Sequence, residues 1–499
     1  MRLELDRLGR WDSWDGVHAV VAGLGVSGFA AADNLVHLGA KVTVLDESAA
    51  GQHTERATLL EILGATVRMG ATATLPEDVD LVVTSPGWSP RAPLLAQAAA
   101  CGVPVWGEVE LAWRLRDPAH RTPWLAVTGT NGKTTTVQML EVMLRAGGLH
   151  TVACGNIGLP LVEAVMDPTA YDVLAVELSS FQLHYTSSMR AESAAVLNVA
   201  EDHLDWYGDP TQSPPGVQTL ATYAADKGRI YTGVERACVY NVADPVTEEL
   251  VREAEVTEGA RAVGFTLGVP SVGMLGLVDE VLADRAFVEE RHSAAAELGT
   301  LADLASPAPH FVANALAAAA LARSHGVPAV AVRQALRAFR PGGHRITEVA
   351  TVEGVTWVDD SKATNPHAAL ASLRGYDPVV WVAGGLAKGA RFDELVRAVH
   401  GRLRGVVLLG RDAGVIREAL GRHAPDVPLI EVGGGETGEV VSAMDRPMDR
   451  VVAEAARLAR PGDTVLLAPG CASMDMFADY GARGDAFADA VRRRGRRRE

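Results

Sequence analysis

The amino-acid sequence predicts an α/β protein of three domains built on parallel sheets. Three observations carry that prediction. Short apolar runs of strand length alternate with longer stretches of helical periodicity, the pattern of a parallel sheet with crossover helices. Several of those runs end in glycine-bearing turns that lead into a helix. The chain has 499 residues, room for about three domains at roughly 100–200 residues each.

The first unit opens with the apolar run Val17–Ala22, which ends in Gly23-Leu24-Gly25-Val26-Ser27-Gly28. A helix is predicted over Phe29–Leu38 and a strand over Lys41–Leu45, ending at Asp46. Leu81–Thr84 then runs into the turn Ser85-Pro86-Gly87, and Pro118 and Pro123 mark a linker. The second unit starts with a strand at Trp124–Val127, continues through Thr128-Gly129-Thr130-Asn131-Gly132-Lys133-Thr134-Thr135, and enters a helix over Val137–Ala146. Strands follow at Val173–Glu177 and Ala194–Val199, and Gln212–Val217 reads as a surface loop. The spacer from Thr266 to His310 is irregular. An Ala-rich helix over Phe311–His325 closes at Gly326 and Pro328. The third unit begins around Pro341-Gly342-Gly343, with strands at Thr356–Val358, Val379–Val382, Val406–Leu409 and Thr464–Leu467. The expected domains are 1–121, 122–341 and 342–499.

Composition narrows the function classes. A formal net charge of −16 argues against a nucleic-acid-binding surface, and the short basic tail Arg492–Arg498 reads as a solvated helix end. The four cysteines form no C-x-x-C pair and no disulfide framework, which fits a reducing compartment. Met1–Trp14 lacks an apolar signal core, and no apolar run reaches the ~18 residues of a membrane span. A soluble, cytoplasmic protein is expected, with no membrane or nucleic-acid partner.

The chemistry begins at Gly129–Thr135. A strand, a glycine turn and a helix start present backbone N–H groups to an anion. Lys133 adds a charge for the β/γ-phosphates, and the Thr134 hydroxyl is placed to ligate Mg²⁺. The pattern is the shorter G-x-x-G-K-T, with Val127 where the common phosphate loop has glycine. Gly23–Gly28 is a G-x-G-x-x-G with Asp46 about 20 residues on, which reads as a site for a nucleotide-like diphosphate. An oxidoreductase read from that motif leaves Gly129–Thr135 unexplained. Glu177 and the segment Asn198–His203 follow strands, and so reach the sheet edge where active sites gather. Lys227 alone reads as a solvated helix lysine. In the third unit, His344-Arg345, Asp359–Pro366, Gly384–Gly389 and Ala468–Asp475 form polar loops on an apolar scaffold.

Taken in order, Thr128–Thr134, Gly155-Asn156-Ile157-Gly158, Glu177–Leu183, Glu201-Asp202-His203 and His344-Arg345 resemble the Mur ligase family. Asp360–Asn365 and Cys471–Phe477 are similar to the members that add D-glutamate. The resemblance implies a Rossmann-like N-terminal domain, a central P-loop-type mononucleotide-binding parallel sheet and a Rossmann-like C-terminal domain. It implies an ATP- and Mg²⁺-dependent amide ligase of peptidoglycan precursor synthesis. Its substrates would be UDP-N-acetylmuramoyl-L-alanine and D-glutamate, and a monomer is expected. The substrate carboxylate would attack the ATP γ-phosphate, and the D-glutamate amine would displace phosphate from the resulting acyl phosphate.

Residue by residue, the resemblance places the UDP-substrate at Val26, Ser27, Asp46, Glu47, Ser85, Gly87, Asn156 and Ser180. It places ATP at Gly129, Thr130, Asn131, Gly132, Lys133, Thr134, Thr135, Asn314, Arg345 and Asp360. Thr134, Glu177, His203 and a carbamylated Lys227 would hold metal, with Lys133, Glu177, His203 and Lys227 as the catalytic set. Lys362, Thr364, Lys388, Ser473 and Tyr480 would bind D-glutamate. Two positions depart from the pattern: Ser48 stands where an arginine is common, and Tyr480 where phenylalanine is expected.

Overall fold

The structure is a computed structural model that describes residues 5–48, 53–70, 74–207, 217–432 and 446–496. It holds three sheets. The first contains β1 (His18–Ala22), β2 (Lys41–Asp46), β3 (Thr66–Met69), β4 (Leu81–Thr84) and β5 (Val105–Gly107), in the order β3-β2-β1-β4-β5. All its pairings are parallel. β1 is buried along its whole length, as a parallel strand covered by helices on both faces must be.

The central sheet contains β6 (Trp124–Thr128), β7 (Thr151–Gly155), β8 (Val173–Glu177), β9 (Ser193–Val196), β10 (Ala237–Asn241), β11 (Arg261–Phe265), β12 (Met274–Val278), β13 (Val281–Asp284) and β14 (Ala296–Thr300). Its order is β14-β13-β12-β11-β10-β9-β6-β8-β7. The Thr266–His310 spacer, irregular against the family pattern, carries β12, β13 and β14. It folds into an antiparallel extension, β12-β13-β14, on an otherwise parallel sheet. The third sheet contains β15 (Thr347–Val352), β16 (Val355–Asp359), β17 (Val379–Gly384), β18 (Leu403–Leu409), β19 (Leu429–Glu431) and β20 (Thr464–Leu467), in the order β15-β16-β20-β17-β18-β19. It is parallel except for the β15–β16 pair.

Helix bounds differ from the expectation where capping overrides periodicity. The helix after the phosphate loop begins at Lys133, directly after left-handed Gly132, so its first turn is the motif itself. The long Ala-rich helix starts at Pro309, with the proline in the first turn where its missing N–H costs nothing, and ends on left-handed Gly326. Of the Gln212–Val217 loop, Gln212–Gly216 lie outside the described residues, and Val217 opens the helix Val217–Gly228. The C-terminal helix runs to Arg496, and the rest of the basic tail lies outside the described residues. Among the described residues no helix is long and apolar enough to cross a membrane, and all four cysteines are free.

The chain divides into two compact units, Met1–Val199 with Ala221–Phe339, and Ala200–Leu220 with Arg340–Glu499. In the first, one apolar cluster runs from Val21 and Leu35 through Leu111 to Trp124, Ala126 and Val176, so two sheets share a core. The third sheet has cores of its own on both faces.

Candidate active site

In each sheet the polar loops leave the carboxyl ends of neighbouring strands, the place where open α/β sheets bind ligands. In the central sheet, β6 lies between β8 and β9. Gly129–Thr135 follows β6, Glu177 closes β8 and Asn198 follows β9. Gly129 and Gly132 have φ of +153° and +85°, and a Cβ on Gly132 would run into the Asn314 carboxamide. The loop is pinned by Asn198. Its carbonyl accepts from Thr130 N–H (2.9 Å), its Oδ1 accepts from Asn131 N–H (2.8 Å), and its Nδ2 donates to the Asn131 carbonyl (3.0 Å). Thr130 Oγ1 meets the Tyr223 hydroxyl at 3.0 Å. Neither Asn198 nor Tyr223 was assigned a role from sequence. The asparagine side chain after β9 was the available signal.

Two ammonium groups converge on this loop. Lys133 Nζ donates to the carbonyls of Gly129 (2.8 Å) and Thr130 (2.9 Å). Lys227 Nζ donates to the same Gly129 carbonyl at 3.0 Å. Lys227 is 1% exposed, so it is not the solvated helix lysine its local sequence suggests. A buried ammonium is costly, and a second one on the same oxygen adds repulsion.

Glu177 is buried. Its Oε1 accepts from Asn156 Nδ2 at 2.8 Å, while Oε2 is buried and has no partner among the described residues. A carboxylate oxygen withdrawn from water and left unpaired is unfavourable unless a cation or donor meets it. Ser180 is buried at the start of a short helix fixed by the Ser179–Gln182 capping box. Among the described residues no three His, Cys, Asp or Glu side chains gather as a metal cage. The expected metal set contains just two residues of those kinds, Glu177 and His203.

His203 falls within the second compact unit, in the stretch Ala200–Leu220. There its segment is held by Arg391 Nη2 donating to Glu201 Oε1 (2.8 Å) and Asn365 Nδ2 donating to Asp202 Oδ2 (3.3 Å). His203, His344 and Lys388 all have left-handed backbones, at φ of 54°, 63° and 51°. Such strain in non-glycine residues collects at ligand sites.

In the N-terminal sheet, the Gly23–Gly28 turn follows β1. A Cβ on Gly28 would run into the Gly23 carbonyl, so glycine lets the helix Val26–His37 pack tightly. Asp46 is buried and clamps the turn, accepting from Leu24 N–H (2.5 Å) and Ser48 N–H (2.8 Å). Burial would raise its pKa, but hydrogen bonds from Ser48 and Leu24 outweigh that and hold the carboxylate below its ordinary range. Ser85 Oγ donates to the Gly23 carbonyl at 3.3 Å. Around this clamp, Val26 (56% exposed), Glu47 and Gly87 are open, with Ser27 and Ser85 half-buried.

In the third sheet, β20 lies between β16 and β17. The loops after these three strands carry Asp360–Thr364, Lys388 and Ser473. Leu386 and Ala472 exchange backbone hydrogen bonds at 2.9 Å, which ties two of the loops together. Lys362 Nζ lies 3.9 Å from the centre of the Tyr480 ring. Arg483, also missed from sequence, is almost fully buried. It donates to Ser361 Oγ (2.9 Å), the Ser361 carbonyl (2.8 Å) and the Cys471 carbonyl (3.0 Å). Ser361 Oγ in turn donates to the Tyr480 carbonyl at 2.7 Å. One guanidinium thus braces the segments bearing Lys362, Ser473 and Tyr480. Asp360 is buried beside half-buried Arg345. Burial pushes its carboxyl up to about 7, against hydrogen bonds from Ser372 and Ile346.

Three family descriptions match in order: Mur ligase MurD-like, N-terminal domain over residues 17–107, Mur ligase middle domain over 127–322, and Mur ligase, glutamate ligase domain over 344–471. The chain is similar to the UDP-N-acetylmuramoylalanine--D-glutamate ligase of Streptomyces avermitilis, 61% identical over 96% of this chain and 99% of that one. The like-named protein of Thermobifida fusca is 54% identical over 96% and 98%. Among solved structures, UDP-N-acetylmuramate-alanine ligase from Thermotoga maritima aligns at a TM-score of 0.54 with 18% identity, covering 95% of this chain and 99% of that one. A pseudomurein peptide ligase type C from Methanothermus fervidus aligns at 0.57 with 16% identity, covering 96% and 100%. These two likenesses bear on the three-domain fold alone.

Proposed function

The chain belongs to the Mur ligase family, and from that premise we propose that it joins D-glutamate to UDP-N-acetylmuramoyl-L-alanine, with ATP cleaved to ADP and phosphate. The product would be a cytoplasmic peptidoglycan precursor, and the enzyme a monomer. The observation that carries this reading is the phosphate loop set beside a buried carboxylate with an unspent oxygen. The domains would be 1–121 for the UDP-substrate, 122–341 for ATP and 342–499 for the amino acid.

A carboxylate is a poor electrophile, and phosphorylation gives it a good leaving group. The protein's task is then positioning and charge stabilisation. Backbone N–H groups of Gly129–Thr135 would cradle the phosphates, and Lys133 would move from the loop carbonyls to the γ-phosphate. Asn314 and Arg345, with Asp360, would complete the nucleotide site. Val26, Ser27, Glu47, Ser85 and Gly87 would meet uridine and diphosphate around the Asp46 clamp, with Asn156 and Ser180 on the muramoyl part. Lys362, Thr364, Lys388, Ser473 and Tyr480 would receive D-glutamate. The buried, unpaired Glu177 oxygen suits a hard cation, so Thr134, Glu177, His203 and a carbamylated Lys227 would hold Mg²⁺. When bound, Mg²⁺ neutralises phosphate charge in the transition state.

Phosphate release, measured with UDP-N-acetylmuramoyl-L-alanine, ATP, Mg²⁺ and one amino acid at a time, tests the reading. Release is expected with D-glutamate. Release with L-glutamate or a diamino acid instead would assign a sister ligase. In the same assay Lys133→Ala should lose at least ~10²-fold in turnover, the scale for one transition-state donor. Near-normal turnover would remove Lys133 from the mechanism.

A further inference from the structure

A cavity of about 370 Å³ opens in the first compact unit. Its walls include Arg10, Trp11, Arg116, His120, Met166 and Tyr171. It also touches Thr122, just before β6, and Leu174, near the start of β8. It therefore lies at the amino edge of the central sheet. The phosphate loop is at the other edge, about 16 Å away along a five-residue strand. The cavity takes no part in the reaction proposed above.

Its lining carries two arginines, Arg10 and Arg116, and two aspartates, Asp117 and Asp167. Arg116 is half-buried, with its guanidinium carbon 3.0 Å from the centre of the Trp113 ring and its Nε donating to the Trp113 carbonyl at 3.1 Å. Its two η nitrogens have no hydrogen-bond or ion-pair partner among the described residues. Arg10 spends its η donors on the carbonyls of Val165 (2.8 Å) and Met166 (3.5 Å), which end the helix Leu161–Met166, and has no carboxylate within ion-pair distance among the described residues. The cavity's two acids accept from their own loops and from neighbouring rings. Asp117 Oδ1 accepts from Ala119 N–H (2.8 Å) and Trp11 Nε1 (3.4 Å). Asp167 accepts from Thr169 N–H (2.7 Å) and the Tyr171 hydroxyl (3.4 Å). The Arg116 guanidinium thus lines a concave space with no carboxylate within ion-pair distance among the described residues.

The remaining walls are flat rings. Tyr171 is held in place by a stack on His150, with centroids 4.7 Å apart and planes 17° apart. Trp11 is 71% exposed. A fixed guanidinium fork suits a phosphate or carboxylate, and aromatic walls suit a ring. The volume falls in the range of small-molecule sites, roughly 300–1,000 Å³. We propose that this cavity binds a small aromatic anion, its charge on Arg116 and its ring against Trp11 and Tyr171.

Isothermal titration of the full chain with phenyl phosphate tests this, with inorganic phosphate and benzyl alcohol as charge-only and ring-only probes. Saturable binding of phenyl phosphate is expected, at least tenfold tighter than either control. Arg116→Gln should weaken it at least tenfold while ligase turnover stays at the wild-type level. Trp11→Ala, at a site too exposed to threaten folding, should weaken it at least threefold. Absence of saturable binding, or affinity unchanged in Trp11→Ala, would overturn the proposal. Inorganic phosphate binding as tightly as phenyl phosphate would overturn the aromatic half of it.

Discussion

Lys227 shows how tertiary context reverses a local reading. In sequence it ends a helix beside Asp226 and reads as solvated. In the structure it is buried, with its ammonium 4.5 Å from the centre of the Tyr223 ring and donating to the Gly129 carbonyl beside Lys133. Addition of carbon dioxide to the deprotonated amine, with release of the protons, would replace a buried cation with an anion able to ligate metal. If so, Lys227→Ala removes a carboxylate-like ligand that a small anion can replace. Turnover of Lys227→Ala should fall at least ~10²-fold and recover in part with added acetate or formate, tracked by phosphate release. Loss of activity without recovery would count against the carbamate.

Elements were most legible where strands are buried on both faces. Leu81–Thr84, Val173–Glu177 and Thr464–Leu467 read to the residue because a continuous apolar run bounded by turns has no other stable use. β3 escaped notice because its alternating exposed and half-buried residues mark an edge. The β12–β14 extension escaped because its short strands are antiparallel in a chain read for crossovers. The phosphate loop was legible from local chemistry. Its Asn198 clamp and the Arg483 brace were not, since both join segments far apart in sequence.

Helix Glu108–Arg114 packs against helix Leu161–Met166 through a carboxyl that no local pattern predicts to be buried. Glu108 Oε1 accepts from Val162 N–H at 2.7 Å, and its Oε2 is buried without a partner among the described residues. Burial pushes its pKa up to about 7, and the charge of Glu163 pushes the same way. Between pH 4.5 and 7 the folded protein thus holds a proton that the unfolded chain has released. This group's stabilisation is full below about pH 4.5 and declines as pH rises towards 7. Glu108→Gln keeps the acceptor and removes the titration. Urea midpoints from pH 4.5 to 7 should therefore fall less steeply in the variant. Parallel profiles would show that Glu108 is ionised in the fold.

Three sheets do not imply three cooperative units. The N-terminal and central sheets are joined by the cluster that includes Val21, Leu35, Leu111 and Trp124, and Trp113 sets its ring edge-on to Trp124 at 4.9 Å. Neither sheet can lose its partner without exposing that shared core. The third sheet is enclosed by its own clusters. Calorimetry of the ligand-free chain should accordingly show two cooperative transitions. Leu111 is fully buried in the shared cluster, so Leu111→Ala should cost about 2–5 kcal/mol. That loss should lower one whole transition, carrying both sheets together, and leave the other at its wild-type temperature. A third transition, or a variant that melts the N-terminal sheet alone, would mean that the shared cluster does not couple them.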